Sequence, residues 1–415
     1  MELAVHAAHR FFETYAEWLG LAIIPFSAAL IGWLTNKLAI WMTFYPLERT
    51  GFTIAYWQGI IPSRAGKMAA ISVDLMVGKL IDLKAIFNKI KSEIITEELY
   101  PSLEPISVET MDKLLNEKMP LPWFFLPDDI KQQFFKDAKK EIPHAIESTI
   151  KDIQDNIETI FDVKSMVIEQ LEQDKALLNE IFLSCGEKEF KFLERSGLYF
   201  GFLFGLIQMT LWYYIQDFSF SWVILPIGGL LVGYLTNWLA LKLIFKPTEP
   251  INLGFFKIQG LFLKRQKAVS VTYSKIVSQK ILTTEKIFTS IFNGKNQEVL
   301  HSIIKKNVEK AVDNTAGTFR SIVQLLTGRR SYLTIKNELS IIYLNFLPKA
   351  IAQSFKYMDK AIDMENTLDD KMSNLSSSEF EGFLHPVFEK DELKLILVGA
   401  VLGLFAGFLQ MLFLL

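Results

Sequence analysis

The sequence holds little that could cross-link a fold or anchor a metal. It has one cysteine, Cys185, and five histidines among 415 residues. A single cysteine excludes an intrachain disulfide, and so few nitrogen and sulfur ligands argue against a zinc cluster. Walker, HExxH, GxSxG and CxxC motifs are also absent. We therefore expect no enzymatic activity, no bound metal and no cofactor.

The chain also lacks an excess of charge of either sign. Its net charge is −2, and charged residues make up 22% of it. Because a nucleic-acid partner requires many cations to neutralise its phosphates, we expect no such partner. Half of the residues are apolar, which instead favours a membrane environment.

Four long stretches contain no charged side chain. They begin at Trp18, Ser196, Phe218 and Leu395, and each approaches or exceeds the ~20 apolar residues that a helix needs to cross a bilayer. The sequence therefore predicts an all-α integral membrane protein with four transmembrane helices. Whether the first segment crosses fully stays open, because Lys37 directly follows its apolar window.

Two large segments, patterned mostly as amphipathic helix, separate the predicted spans. The predicted layout is a short N-terminal segment 1–17, a transmembrane helix 18–44, a helical soluble domain 45–195, transmembrane helices 196–216 and 218–241, a second helical soluble domain 242–394, and a last transmembrane helix 395–415. Four crossings put both soluble domains on one side of the membrane. Basic residues cluster beside these domains, whereas the other side has only Arg10. The positive-inside rule therefore predicts that both domains are cytoplasmic.

The chain also repeats itself. Shifted by 201 positions, residues 25–64 align without a gap on residues 226–265. This alignment has 14 identities in 40 positions, where ordinary composition gives roughly two or three. A second block repeats at a shift of 202, where the glycine pattern from Gly197 returns from Gly399. We interpret the chain as a tandem duplication of two parallel halves, each with two crossings and one soluble domain.

Polar residues inside the predicted spans are candidate functional positions. An unpaired amide is costly to desolvate in hydrocarbon, so each should find a partner. In a structural interpretation, Asn36 and Asn237 bond to each other or to nearby backbone. In a functional one, they line a polar vestibule with the two glutamines. The membrane-interior polar residues are Thr35, Asn36, Gln208, Thr236, Asn237 and Gln410.

Small residues recur every four positions in the same segments. This spacing puts them on one helix face, where they allow a second backbone to approach closely. A tight four-helix bundle and a glycine-lined conduit are both compatible with the pattern. The expected helix-packing residues are Ala28, Gly32, Gly197, Gly201, Gly205, Gly229, Gly233, Gly399, Gly403 and Gly407.

Aromatic and basic residues follow the first helix of each half. The segments PLERTGFTIAYWQGIIPSR and PTEPINLGFFKIQGLFLKR combine interfacial rings with basic ends, which suits the headgroup level of a membrane. Arg64, Lys264 and Arg265 are therefore candidate lipid headgroup contacts, as general anchors or as specific ligands. Further along, Glu381 and His385 have two interpretations: a solvated acidic patch beside the membrane, which is favoured, or a metal site with only one nitrogen ligand.

Several motifs resemble a known family. The paired elements GWLTNKLAIWMTFYP and GYLTNWLALKLIFKP, the QG-x-x-x-x-R continuation and the block CGEKEFKFLERSGLYFGFLFGLIQM are similar to bacterial membrane proteins grouped as domain of unknown function 445. The resemblance covers most of the chain except the middle of each soluble domain. It implies a multi-pass protein of the bacterial inner (plasma) membrane and brings no catalytic residues.

These observations favour a non-enzymatic membrane protein that serves as an anchored scaffold or contacts lipids. The alternative is a transporter or lipid conduit with a path between the halves, and a hydrolase using His385 is a third hypothesis. Membrane lipids are the expected partners. Protein partners on the cytoplasmic side and a homo-oligomer stay open.

Overall fold

The computed structural model of the chain describes residues 2–52, 55–215, 218, 221–254, 256–317 and 320–414. In these ranges the chain is helical except for short connections and two small hairpins, which confirms the predicted all-α class. The elements are α1 (Glu2–Phe44), β1 (Thr50–Phe52), β2 (Ala55–Trp57), α2 (Ile60–Ser63), α3 (Ala65–Leu75), a π-turn (Met76–Leu80), α4 (Leu83–Phe87), α5 (Ser92–Lys118), α6 (Pro120–Phe124), α7 (Asp128–Asp155), α8 (Ile157–Ile160), α9 (Val163–Gln173), α10 (Lys175–Cys185), α11 (Glu187–Ile215), a 3-10 turn (Ser221–Val223), α12 (Ile224–Phe245), β3 (Ile251–Leu253), β4 (Phe256–Ile258), α13 (Leu261–Lys264), α14 (Gln266–Lys280), α15 (Thr284–Asn293), α16 (Gln297–Ala316), α17 (Arg320–Ile351), a second 3-10 turn (Ala352–Ser354), α18 (Phe355–Ile362), α19 (Met364–Ser373) and α20 (Ser377–Leu414).

One compact unit, here called the membrane unit, combines residues 1–76, 168–273 and 369–415. Among the described residues it holds four helices long and apolar enough to cross a membrane, which confirms the four predicted apolar helices. Their apolar stretches are Gly20–Phe44, Glu187–Ile215, Ile224–Phe245 and Glu392–Leu412. Helix α1 packs along α11, α12 packs along α20, and α12 also contacts α1 and α11. All four helices contribute to a buried cluster of Ile24, Trp212, Leu225 and Met411.

In this unit, one antiparallel hairpin follows α1 and a second antiparallel hairpin follows α12. In the first, Thr50 pairs with Trp57, and in the second, Ile251 pairs with Ile258. Each hairpin returns the chain to the end of the helix before it, where α2 or α13 begins. Helices α1 and α12 are therefore each followed by the same arrangement, a hairpin that leads into a short helix.

The second compact unit, here called the helical unit, combines residues 77–167 and 274–368. Helices α5, α7, α16 and α17 form a ring in which each packs against its two neighbours. The apolar positions of these amphipathic helices point inwards, and Leu99, Leu103 and Leu300 are almost fully buried. A small apolar cavity of about 70 Å³ lies among them.

Candidate functional site: buried amides and glycine faces

The two asparagines lie at equivalent places in the membrane unit. Asn36 on α1 is 1% exposed, and Asn237 on α12 is 2% exposed. The Nδ2 of Asn36 donates to the carbonyl oxygen of Leu193 at 2.7 Å, and the Nδ2 of Asn237 donates to that of Leu395 at 3.0 Å. Each amide thus bonds to backbone of the neighbouring long helix, α11 or α20. The structure does not pair the two asparagines with each other through these amide nitrogens.

The two threonines beside them bond within their own helices. The hydroxyl of Thr35 donates to the carbonyl of Gly32 at 3.1 Å, and that of Thr236 donates to Gly233 at 3.4 Å. A hydroxyl that back-bonds one turn away satisfies itself without a partner helix. These threonines are therefore buried with a local partner and make no interhelical bond through these hydroxyl protons.

The two glutamines lie at another depth of the unit. The Nε2 of Gln208 donates to the carbonyl of Leu225 at 3.3 Å, whereas the buried Nε2 of Gln410 has no hydrogen-bond partner. Asn36 lies against Gly197, which precedes Gln208 on α11 by eleven residues. A helical rise of 1.5 Å per residue puts about 17 Å between these two levels. The amides of Asn36 and Gln208 therefore do not belong to one polar cluster.

The glycine faces lie where the long helices touch. Gly32 of α1 and Gly197 of α11 face each other so closely that a Cβ on either one would collide with the other's carbonyl group. Small residues permit such contact because backbone dispersion replaces the missing hydrophobic drive in lipid. The other contacts place Gly201 against Ala28, Gly205 against Pro25, Gly229 against Gly403, Gly233 against Gly399, and Gly407 against Leu225.

The three basic residues considered for headgroup contact have different surroundings. Lys264 is exposed and Arg64 is half-buried. Arg265 instead donates from Nη1 to both carboxylate oxygens of Glu189, at 2.7 and 2.8 Å. The Glu189 side chain is 4% exposed, so this ion pair is shielded on the carboxylate side. The sequence pattern did not reveal this pairing, because the two residues lie 76 positions apart.

The Gln-Gly pair of the repeated motif has a structural explanation that sequence reasoning missed. The Nε2 of Gln58 donates to the carbonyl of Leu47 at 2.7 Å, and that of Gln259 donates to Thr248 at 3.1 Å. Both bonds close the hairpin segment. At Gly59, a Cβ would lie 2.7 Å from the last carbonyl carbon of α1, so only glycine fits. The recurrence of the pair at the 201 shift was the one available signal.

The alternative metal site has one described member. The carboxylate of Glu381 accepts from the Nζ of Lys246 at 2.8 Å and from the hydroxyl of Thr248 at 2.7 Å. The side chain of His385 lies outside the described residues. Within the described part of the chain, no group of three or more His, Cys, Asp or Glu side chains could hold a metal ion.

The fold and these contacts define a class: a multi-span α-helical membrane protein. Similar proteins are known in Bacillus. A stretch of 89 residues is 34% identical to the UPF0754 membrane proteins of Bacillus cereus (strain AH187) and Bacillus thuringiensis subsp. konkukian (strain 97-27), and 33% identical to that of Bacillus anthracis (strain A0248). The stretch covers 21% of this chain and 24% of each relative, so the chain spans about a quarter of the length of the curated relatives it matches. No family model matches the chain.

Proposed function

We propose that this protein is a non-enzymatic scaffold of the bacterial inner membrane that contacts lipids. The buried amides carry the proposal. Asn36 and Asn237 both use their Nδ2 atoms to bond backbone of an adjacent long helix. Buried amides that hold helices together are expected in a structural bundle, where each such bond contributes roughly 1 kcal/mol. The close glycine contacts support the same role.

We also infer that the chain arose by tandem duplication. Residues 201 positions apart make matching contacts, as Asn36 and Asn237 do in the spans and Gln58 and Gln259 do after the hairpins. Matching contacts are expected when two copies of one ancestral segment keep one packing solution. The shared motifs likewise favour membership of the family grouped as domain of unknown function 445.

We propose that both large segments face the cytoplasm, because basic residues flank them. Cysteine labelling of intact cells with a membrane-impermeant maleimide tests this orientation. Burial raises the pKa of the native Cys185 thiol to about 12, which keeps it unreactive as background. Phe218→Cys, at an exposed position, should react from outside, whereas Lys136→Cys on α7 should not. The reverse pattern would invert the topology.

Lipid contact is tested by native mass spectrometry of the purified protein in detergent. We expect anionic phospholipid to stay bound and Lys264→Gln to reduce it, because the exposed Lys264 ammonium attracts headgroup phosphate. Lys136→Gln removes the same charge from an exposed site in the helical unit and is the matched control. Absence of bound lipid, or equal loss in both variants, would contradict lipid contact through this residue.

A conduit is the second candidate, favoured by two buried atoms. The Oδ1 of Asn36 and the Nε2 of Gln410 have no hydrogen-bond partner. Such groups cost about 1–3 kcal/mol each when unsatisfied, which a passing polar solute or headgroup could offset. Flux of solute or labelled lipid in proteoliposomes decides between the two. Flux that Asn36→Leu combined with Asn237→Leu abolishes, with folding intact, would replace the scaffold with a conduit.

A further inference from the structure

A groove lies on the membrane unit between α11 and α12. Its volume is about 470 Å³, within the roughly 300–1,000 Å³ typical of ligand pockets. Its walls are aliphatic and aromatic, and they include Phe204, Leu211, Ile227 and Leu231. The last three side chains are about half exposed, so the groove opens towards the surroundings of the helices. Between transmembrane helices those surroundings are lipid.

The groove contains one amide that already has a partner. Gln208 lines the groove, and its Nε2 donates to the carbonyl of Leu225. The adjacent Gly228 is covered by the same carboxamide, since a Cβ there would lie 2.6 Å from the Gln208 Nε2. The occupant therefore meets an almost entirely apolar surface. This chemistry fits a hydrocarbon chain better than a polar solute.

The length of the groove suits a lipid hydrocarbon chain. On α11 the lining runs from Phe204 to Ile215, about 17 Å along the axis and close to the ~15 Å depth of one leaflet. A lipid chain that spans one leaflet can therefore lie along the whole groove, because its length matches the apolar lining.

Aromatic side chains mark the headgroup end. Tyr214 near the end of α11 and Trp222 before α12 are 72% and 55% exposed. Amphipathic rings of this kind collect at membrane–water interfaces. We propose that the groove binds one acyl chain of a phospholipid in the leaflet nearest the α11–α12 connection. This inference rests on the proposed lipid-contacting function and names a binding site for it.

Photo-crosslinking tests the site. The protein is reconstituted into vesicles of phosphatidylethanolamine and phosphatidylglycerol with a trace of phosphatidylcholine that carries a diazirine in its acyl chain, and adducts are mapped by peptide mass spectrometry. We expect adducts at Leu211 and Ile227 to exceed those at the more exposed Val401 on α20 several-fold. Leu231→Trp should fill the groove and remove the excess. Val401→Trp, outside the groove, should leave it unchanged.

Each remaining outcome has a definite meaning. Adducts spread evenly over the exposed span residues would overturn the groove, as would crosslinks there to a second copy of the chain. Folding of each variant is checked by the protection of Cys185 from maleimide labelling, because Cys185 is buried in the same unit. In the unmodified protein, absence of excess adducts in the groove while Lys264-dependent lipid binding is intact would refute this site alone. Loss of both would refute the lipid-contacting function itself.

Discussion

One pair of alanine substitutions in a single helix isolates the contribution of the glycine faces. Gly403 and Gly382 both lie in α20. A Cβ at Gly403 would collide with the carbonyl oxygen of Gly229 on α12, whereas a Cβ at Gly382 would meet nothing within 4 Å. The substitution is chemically identical at both positions, so Gly382→Ala is a control for Gly403→Ala.

The expected difference follows from two opposing contributions. Replacing glycine in a helix by alanine stabilises it by about 0.5–1 kcal/mol, and both variants gain this. Only Gly403→Ala must also separate two backbones, which is overpacking with a typical cost of about 1–3 kcal/mol. Because the helix gain cancels, the variants should differ by that cost. This corresponds to roughly a 5- to 140-fold difference in the unfolding equilibrium.

Cys185 provides the assay. It is the single cysteine of the chain, it is buried in the membrane unit, and its raised pKa suppresses the thiolate. The fraction that reacts with maleimide, measured along a titration of dodecyl maltoside micelles with SDS, therefore reports unfolding of this unit. We expect Gly403→Ala to be labelled at lower SDS than wild type and Gly382→Ala at equal or higher SDS. Equal midpoints for the two variants would refute the close packing of α12 on α20.

Two further predictions concern charged groups. Arg265→Met should destabilise the membrane unit by about 3–5 kcal/mol, because it leaves the buried Glu189 carboxylate unpaired; the double variant with Glu189→Leu should recover most of the SDS midpoint, and an unchanged single variant would argue against the pair. Burial raises the pKa of Asp152, but hydrogen bonds from Asn307 and Lys306 outweigh it and hold the pKa below the ordinary value of a carboxyl group. A lowered folded pKa means that this stabilisation is present above the ordinary carboxyl pKa and is lost as the pH falls through the lowered value. Asp152→Asn should therefore weaken the acid-induced loss of helical circular dichroism, and an unaltered acid profile would contradict this.

The spans could be read from the sequence because their physical requirement is local. A helix in hydrocarbon must be long and free of charge, and both properties are visible in any window of the chain. The sequence left open whether the first segment crosses the membrane, because Lys37 follows its apolar window. The helical stretch Gly20–Phe44 contains Lys37, and its length and hydropathy suffice for a span. The four-residue spacing of glycines is equally local, since it fixes one helix face.

The partners of the polar residues could not be read in the same way. Asn36 bonds to Leu193, and Arg265 bonds to Glu189, across 157 and 76 positions respectively. Contacts between residues so far apart in the chain depend on how the helices pack. No local residue pattern specifies that packing. Gly59 illustrates the same limit, since its need for a small residue comes from the end of α1 rather than from its own neighbours.

The helical unit extends this point from single residues to whole segments. An amphipathic helix such as α7 buries one face, but its sequence does not say against what. In the structure, α7 packs against α16 and α17 packs against α5, so helices from both halves complete one ring. The carboxylate of Asp152 on α7 accepts from Asn307 on α16 within this ring. Neither half closes the ring alone, because each supplies two of its four sides. The helical unit is therefore one compact body to which residues 77–167 and 274–368 both contribute.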